Sequence, residues 1–386
     1  MSALRTCDVL VIGAGSVGLP LSYELARRGK KVIVLDKRAS PGRGENRTAI
    51  GGIRATHSDP AKIGICRRSI EEVKTLEREH DLDVDWFSGG YLFPVYDEQR
   101  EVALKKVLVV QKQHELNIDW IGPERVKELV PGISAEGLRG GTYSPDDGSA
   151  SPLKVALAYY RLAANHGASF RFNEAVEAIE VSGEKITAVR TNAQTYCADV
   201  VVNAAGAQAQ AIGALCGLEV PVTPDSHEAG ITEPVQRFFS PMVVDLRSDD
   251  RSANYYFYQN VEGQVVFCIT PKPKLVGLDA DSTSEFLPLV VKRMVALYPR
   301  LRNLRVRRTW RGLYPMTPDG FPIVGWSEGV NNLMLAVGMC GQGFMLGPGL
   351  GIVLAETICE TSDAHQAIFE QLSPSRDFES AVELLK

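Results

Sequence analysis

The stretch VIGAGSVG, from Val11 to Gly18, lies between two runs of different character and decides how the chain begins to fold. The run CDVLVIGAG is rich in β-branched residues and ends in glycine, whereas SVGLPLSYELARRG has helical apolar spacing and a glycine stop. A second predicted strand, KKVIVLD, comes next and ends at Asp36. The order of strand, glycine loop, helix and strand predicts a βαβ unit.

The glycines of this stretch match the pattern G-x-G-x-x-G, which holds a pyrophosphate when it joins a strand to a helix. Gly13 permits the tight turn, Gly15 lets the backbone approach a phosphate, and Gly18 lets the helix pack on the strand. Alone the pattern is only weakly specific. Its position inside a complete βαβ unit predicts a dinucleotide-binding site.

The residues around the loop extend the same prediction. Ser16 and Val17 begin the helix, whose free N–H groups and dipole favour a phosphate. Asp36 is placed to bind ribose hydroxyls, and Lys37 adjoins it. An acidic residue at this position disfavours the 2′-phosphate of NADP.

The choice between NAD and FAD depends on how the chain continues after the first unit. An NAD enzyme is expected to continue the strand–helix alternation as a doubly wound sheet. Here the chain leaves after one unit and returns later with DVVVNAAGA and again with LMLAVGMCGQGFMLGPGLG. This discontinuity indicates an FAD-binding protein with an inserted substrate domain.

We therefore expect a mixed α/β fold with a Rossmann-like FAD-binding domain and an interleaved antiparallel-sheet substrate domain. The first domain is predicted at residues 1–80, 145–218 and 309–386, and the second at 81–144 and 219–308. Pro60 to His80 predicts a helix, FLPLVVKRMVALYP a second one, and NYYFYQNVEGQVVFCIT a hairpin around Glu262 and Gly263. GLRGGTYSPDDGSASP is predicted to be a loop.

Composition narrows the classes of partner. The 386 residues carry a net charge of −5 with acidic and basic residues intermixed, which offers no basic stripe for nucleic acid or lipid. The seven scattered cysteines include no CxxC pair, so neither disulfides nor a metal site is predicted. The start of the chain lacks the features of a signal peptide. A cytoplasmic protein that binds a small molecule or another protein is expected.

One apolar segment is long enough to span a bilayer. Leu333 to Ala355 has no formal charge, but glycines and Pro348 interrupt it. This composition favours a buried loop and helix, so no membrane span is expected.

Several segments together resemble the FAD-dependent amine and amino-acid oxidoreductases, a family that includes glycine oxidase, monomeric sarcosine oxidase, D-amino-acid oxidase and the β-subunits of sarcosine oxidase and dye-linked proline dehydrogenase. Besides the first loop, the segments are GENRTAIGGIRATHSDP, VVNAAGA, WRGLYPMTPDGFPIVG and GMCGQGFMLGPGLG. The resemblance covers essentially the whole chain. It implies that the chain binds FAD and oxidises a small secondary or α-amino acid by hydride transfer to flavin N5, giving an imine.

The resemblance also implies positions for the cofactor and the substrate. Beyond the first loop, the implied FAD contacts are Arg43, Asn46, Thr48, Gly51, Gly52, Val176, Ala205, Gly206, Gly338, Gly341, Gly343, Phe344 and Met345. The implied catalytic residues are Arg54, His57, Tyr256, Tyr314 and Met345. Arg54 could instead be a surface arginine, and His57 could merely cap the following helix.

Three positions depart from related sequences. Tyr314 replaces an arginine that clamps the substrate carboxylate in glycine oxidases, and Met345 replaces a lysine of monomeric sarcosine oxidases. Gly312 replaces the cysteine to which those sarcosine oxidases attach their flavin. The departures resemble the β-subunits of the heteromeric enzymes, which disfavours glycine as substrate and favours noncovalent FAD.

Other functions stay open at this point. The same fold can oxidise a hydroxy acid. The chain could also be the flavin-bearing subunit of a heteromeric dye-linked dehydrogenase, or an NAD dehydrogenase. The electron acceptor is oxygen or a redox partner, and the chain could form a homo- or hetero-oligomer. The sequence leaves the specific amine and its stereochemistry undecided.

Overall fold

The computed structural model describes residues 4–360 and 363–379. The strands are β1 Leu4–Ile12, β2 Val32–Asp36, β3 Gly52–Ile53, β4 Tyr91–Val95, β5 Asp119–Ile121, β6 Gly140–Ser144, β7 Gly148–Ser149, β8 Ser169–Phe172, β9 Val176–Ser182, β10 Lys185–Thr191, β11 Thr195–Asn203, β12 Thr223–Pro234, β13 Met242–Asp245, β14 Ser252–Gln259, β15 Gln264–Pro271, β16 Val306–Met316, β17 Ile323–Trp326 and β18 Leu333–Val337. The α-helices are α1 Gly18–Arg27, α2 Pro60–Arg78, α3 Glu98–Gln113, α4 Pro123–Leu129, α5 Pro152–Asn165, α6 Ala209–Ala214, α7 Phe286–Leu297, α8 Gly343–Cys359 and α9 Gln366–Leu372. Short 3₁₀ turns span Glu45–Thr48, Gly206–Gln208 and Pro299–Asn303.

The first sheet has the strand order β17-β18-β11-β1-β2-β8, and β10 joins β9 to β11. Strands β18, β11, β1, β2 and β8 are parallel. Their side chains are buried on both faces, with Val9 and Val11 packing against α1, α2, α5 and α8, and Leu10 and Ile12 against β9, β10 and α6. Two covered faces explain the near-continuous apolar runs of β1 and β2. The predicted βαβ unit is confirmed.

The second sheet has the order β16-β12-β15-β14-β13-β4-β6-β5 and is antiparallel except between β13 and β4. One face packs on α4 and α7 around Phe257 and Phe267. The other face carries Tyr91, Met242 and Tyr258. Successive residues of a strand point to opposite faces, so an antiparallel sheet can pack one face on helices and present the other to a different part of the protein. The predicted hairpin is confirmed as β14 and β15, joined through Asn260 and Gly263.

Two parts of the sequence fold differently from the expectation. The segment predicted as a loop contains β6, which pairs with β4 and β5, and β7, which pairs with β3. Its partners are distant in the sequence, so local turn signals dominate the pattern. Helix α3 was not predicted, although Asp97 caps it by accepting a hydrogen bond from Arg100 N.

The predicted boundary at residue 309 falls inside β16. This strand pairs with β12 from Thr232 opposite Val306 to Thr223 opposite Met316. The whole of β16 therefore belongs to the second sheet, which extends to the loop that precedes β17. Within residues 4–360 and 363–379, no helix is both long enough and apolar enough to cross a membrane.

Candidate active site

A cavity of about 1360 Å³ is lined by residues of both sheets. Its wall includes most of the predicted cofactor contacts: Gly13, Gly15, Ser16, Val17, Asp36, Lys37, Asn46, Thr48, Gly51, Gly52, Val176, Ala205, Gly206, Gly341, Gly343, Phe344 and Met345. Of the predicted catalytic residues, it also includes Arg54, Tyr256 and Tyr314. The structure therefore brings segments from the whole length of the chain to one site.

The three glycines of the first loop have different surroundings. Gly13 has a φ of +116°, and a Cβ there would lie 2.4 Å from the carbonyl oxygen of Ala204. A Cβ at Gly18 would lie 1.9 Å from the carbonyl oxygen of Gly13. A Cβ at Gly15 would meet no atom within 4 Å, yet Gly15 lines the cavity. Gly13 and Gly18 are thus required by close packing, and Gly15 leaves room for a ligand, which fits the pyrophosphate of a dinucleotide.

Asp36 connects this loop to the end of β2. Its Oδ2 accepts a hydrogen bond from Ala14 N at 2.8 Å, and its Oδ1 accepts one from Arg38 N at 2.7 Å. A carboxylate has about four lone-pair sites, so Asp36 can still accept hydrogen bonds from the hydroxyl groups of a ribose. Lys37 and Val176 line the same cavity.

The 3₁₀ turn Glu45–Thr48 forms another part of the wall. Asn46 Nδ2 donates to the carbonyl oxygen of Pro152 at 2.9 Å, and Trp310 Nε1 donates to that of Thr48 at 2.9 Å. Burial raises the pKa of Glu45, although a hydrogen bond from a backbone N–H of Ala207 opposes the change. These contacts fix the turn against α5 and β16.

The loop before α8 is shaped by left-handed residues. Gly338, Cys340 and Gly341 have φ values of +68°, +50° and +82°. A Cβ at Gly341 would lie 2.2 Å from the ring of Tyr314, and a Cβ at Gly347 would lie 1.8 Å from the carbonyl oxygen of Ser16. The small residues let α8 cross the first loop closely, so that its N-terminal end borders the cavity.

Arg54 is buried, with 6% of its surface exposed, and lines the cavity. Its Nη1 donates to the carbonyl oxygen of Thr56, and its guanidinium carbon lies 5.7 Å from the ring centroid of Phe93. Burial lowers the pKa of Arg54, while the nearby Tyr91 and Asp147 oppose the change. Asp147 accepts a hydrogen bond from Ala55 N at 2.8 Å, and burial raises its pKa to about 6.

Tyr256 and Tyr314 meet inside the cavity, where their hydroxyl oxygens lie 3.0 Å apart. Burial raises the pKa of both phenols well above 10, so both remain protonated at neutral pH. The His227 ring stacks on that of Tyr314 at 3.8 Å and 19°. His227 Nε2 also lies 3.4 Å from Asp225 Oδ2.

His227 and Asp225 also line the cavity, although neither was predicted from the sequence. They alternate with Ser226 along β12, and Asp225 lies opposite Tyr314 in the pairing with β16. Two ionisable residues on one face of a buried strand were the available signal. Lys62 and Gln342 were missed as well. Lys62 is fully buried, and its Nζ donates to Gln342 Oε1 at 3.2 Å.

Four predicted residues do not line the cavity. Arg43 is exposed and donates to Ser40 Oγ. Gly18 and Gly338 lie behind the lining residues, where a Cβ at Gly338 would lie 2.4 Å from Thr317 Cγ2. His57 is fully buried, and its Nε2 lies 3.4 Å from Cys66 Sγ.

His57 does not reach the wall of the cavity. Burial, with the positive charges of Arg54 and Lys62, lowers the pKa of His57 well below 6.5, so the ring is neutral. It does not cap α2 either, because Asp59 is the capping residue and accepts from Lys62 N at 2.9 Å.

Known proteins are similar to this chain over most of its length. A family model described as FAD dependent oxidoreductase (DAO) matches residues 8–357. The chain is 27% identical over 373 residues to the mitochondrial sarcosine dehydrogenase of Mus musculus, covering 92% of this chain and 40% of that protein. It spans 44% of the mitochondrial dimethylglycine dehydrogenase of Homo sapiens, at 25% identity. The chain therefore spans less than half the length of these curated relatives.

Solved structures match over nearly the full chain. The crystal structure of L-proline dehydrogenase from P. horikoshii has a TM-score of 0.90 and 30% identity, covering 98% of this chain and 100% of that one. Glycine oxidase from Geobacillus kaustophilus has a TM-score of 0.86 at 22% identity, covering 97% and 99% of the two chains. The second likeness establishes the fold alone.

Proposed function

This chain belongs to the FAD-dependent oxidoreductase (DAO) family, and from that premise we propose that it oxidises the C–N bond of a small secondary or α-amino acid to an imine. The glycine loop and the start of α8 would hold FAD, which would supply a two-electron acceptor for the hydride lost from the carbon next to a neutral amine. One observation carries the proposal: a single cavity joins the dinucleotide loop, the buried cation of Arg54 and the tyrosine pair.

Arg54 is the residue that we propose binds the substrate carboxylate. A guanidinium presents a planar fork that matches a carboxylate, and a buried guanidinium binds it with little competition from water. The nearby carboxyl group of Asp147 favours the charged form of Arg54. The positive charge of Arg54 is therefore partly balanced before substrate binds.

Tyr256 and Tyr314 are proposed to orient the amine end of the substrate. As neutral phenols they can donate or accept hydrogen bonds without adding charge beside the reacting carbon. Their rings, with Met345, give an apolar surface that suits the methyl or ring carbons of a secondary amine. His227 is proposed to hold Tyr314 in place by stacking. His57 is proposed to act only by packing, since its ring is buried and neutral.

The names of similar proteins support a secondary amino acid. Sarcosine and L-proline, which name two of the relatives, both carry a secondary amine next to a carboxylate. Tyr314 in place of an arginine further disfavours glycine. Noncovalent FAD is supported by Gly312, where a Cβ would lie 2.2 Å from Thr48 Oγ1. A cysteine at this position would require Thr48 to move.

The decisive experiment is an anaerobic visible spectrum of the purified FAD-loaded protein. Sarcosine, L-proline, D-proline, glycine and a hydroxy acid are added separately. We expect a secondary amino acid to bleach the flavin absorption and the hydroxy acid to leave it unchanged. Bleaching by the hydroxy acid alone would instead establish the alternative oxidation of a C–O bond.

The electron acceptor and the assembly are part of the same proposal. We favour a cytoplasmic enzyme, because all seven cysteines are free thiols. Stopped-flow mixing of the reduced protein with oxygen, and separately with an artificial dye, distinguishes an oxidase from a dehydrogenase. Size-exclusion chromatography of natively purified material tests the alternative of a flavin-bearing subunit, which requires a stoichiometric partner chain.

A further inference from the structure

Lys62 is a fully buried lysine in the first turn of α2. Its Nζ donates to Gln342 Oε1 at 3.2 Å and lies 4.9 Å from the ring centroid of Phe321. Lysine is almost never fully buried unless its charge is compensated. A stability role alone gives no reason to keep an amine here instead of an apolar side chain of similar length.

The amine lies just behind one wall of the cavity. Gln342 lines that cavity, between Gly341 and Gly343, and α8 begins at Gly343. The N-terminal end of a helix carries a partial positive charge. Lys62 and the start of α8 therefore contribute positive potential from the same side of the cavity.

The groups around the amine come from several elements. Asp59 precedes the same helix, and its carboxylate favours the charged amine. The side chains of Cys66 and Cys340 also lie near the amine. Burial disfavours the charge most, and Arg54 disfavours it further. His57 is also near but neutral. The outcome is a pKa of about 7 for Lys62, so that a small change of charge nearby shifts its protonation.

We propose that Lys62 is a redox-linked cation, which stabilises the negative charge of reduced FAD from behind Gln342 and gains a proton when the FAD is reduced. Two electrons and one proton added to FAD leave one extra negative charge on the cofactor. That charge favours protonation of the buried amine, which takes its proton from solvent. Reduction in the protein then consumes two electrons and two protons, whichever amine supplies the electrons.

The test is the midpoint potential of bound FAD, measured by titration with dithionite from pH 6 to pH 10. For a two-electron couple, each tenfold change in an equilibrium constant is about 30 mV. One proton per two electrons therefore gives a slope of about 30 mV per pH unit, and two protons give about 60 mV. We expect the steeper slope in the wild type from about pH 7 upwards, reverting to the shallower slope once the amine is neutral in both redox states.

Two substitutions separate charge from structure. Lys62→Met removes the amine, so the midpoint potential of FAD bound to this variant should be about 30 mV or more below that of the wild type at pH 6.5. The two potentials should converge at alkaline pH, and the variant should show the shallower slope throughout. Lys62→Arg keeps a cation that does not titrate, so it should retain the higher potential with the shallower slope. Lys74→Met changes a partly exposed lysine of the same helix and is the matched control; it should behave as wild type.

Either of two results overturns the proposal. One is a wild-type slope of about 30 mV per pH unit across the whole range, which needs no variant to fold. The other is a Lys62→Met protein with the potential and slope of the wild type. Because dithionite supplies the electrons, neither result depends on the substrate proposed above.

Discussion

The hydroxyl oxygens of Tyr256 and Tyr314 lie 3.0 Å apart inside the cavity. They come from strands β14 and β16, which are not neighbours in the second sheet. The contact therefore ties two strands through their side chains. It also sets Tyr314, at a position where the sequence resemblance implies an arginine in glycine oxidases, against a second neutral phenol.

Removing either hydroxyl should lower the free energy of unfolding. Tyr256→Phe or Tyr314→Phe removes the hydrogen bond between two part-buried phenols, which should cost about 1 kcal/mol. The double variant should cost less than the sum of the two single changes, because the same hydrogen bond is lost only once. Urea unfolding of the four proteins measures this coupling. Additive losses would mean that the two hydroxyls do not interact.

Gly15 and Gly18 form a matched pair for testing the cofactor loop. Gly15→Ala should fold normally, since its Cβ meets no atom within 4 Å, but should weaken FAD binding at least about tenfold. Gly18→Ala should lower the unfolding midpoint, because its Cβ would lie 1.9 Å from a backbone oxygen. Fluorescence titration with FAD and urea unfolding give the two measurements. Unchanged FAD affinity in Gly15→Ala would place the pyrophosphate elsewhere.

The sequence predicted those features whose cause is local. The glycine loop, the strands beside it and the helix after Pro60 each result from spacing within a few turns of chain. The hairpin of β14 and β15 is equally local, because Asn260 and Gly263 close it. Most residues predicted to contact FAD line the cavity for the same reason: their motifs are short continuous stretches.

The missed features depend on contacts between distant segments. Strand β6 is rich in glycine and becomes a strand only by pairing with β4 and β5. His227 becomes part of the site because β12 pairs with β16 and brings it against Tyr314. Lys62 looks like a surface residue of an amphipathic helix until α8 covers it. Periodicity describes one element and cannot specify which element covers it.

Asp147 should make the folded protein less stable as pH rises through the acidic range. Burial raises its pKa from 3.8 to about 6, so between these values the folded state binds more protons than the unfolded state. Its contribution to the free energy of unfolding is then fully present below about pH 4 and is lost as pH rises through about 6. The shift corresponds to at most about 3 kcal/mol.

Asp147→Asn isolates this contribution. Urea unfolding at a fixed excess of FAD should show the wild type losing stability relative to Asp147→Asn between about pH 4 and pH 7, with little further change at higher pH. Asp146→Asn, a change at the neighbouring residue, is the control and should show no such trend. A difference independent of pH would mean that Asp147 stays ionised throughout this range.

Replacement of Arg54 separates carboxylate binding from catalysis. If its guanidinium binds the substrate carboxylate, Arg54→Met should raise the KM for L-proline at least about tenfold, since a buried charge pair is worth several kcal/mol. The KM for pyrrolidine, which lacks the carboxylate, should change far less. Arg54→Lys keeps the charge without the planar fork and should give an intermediate loss. Equal losses for both substrates would exclude Arg54 as the carboxylate partner and indicate that it supports the cavity by packing against Phe93.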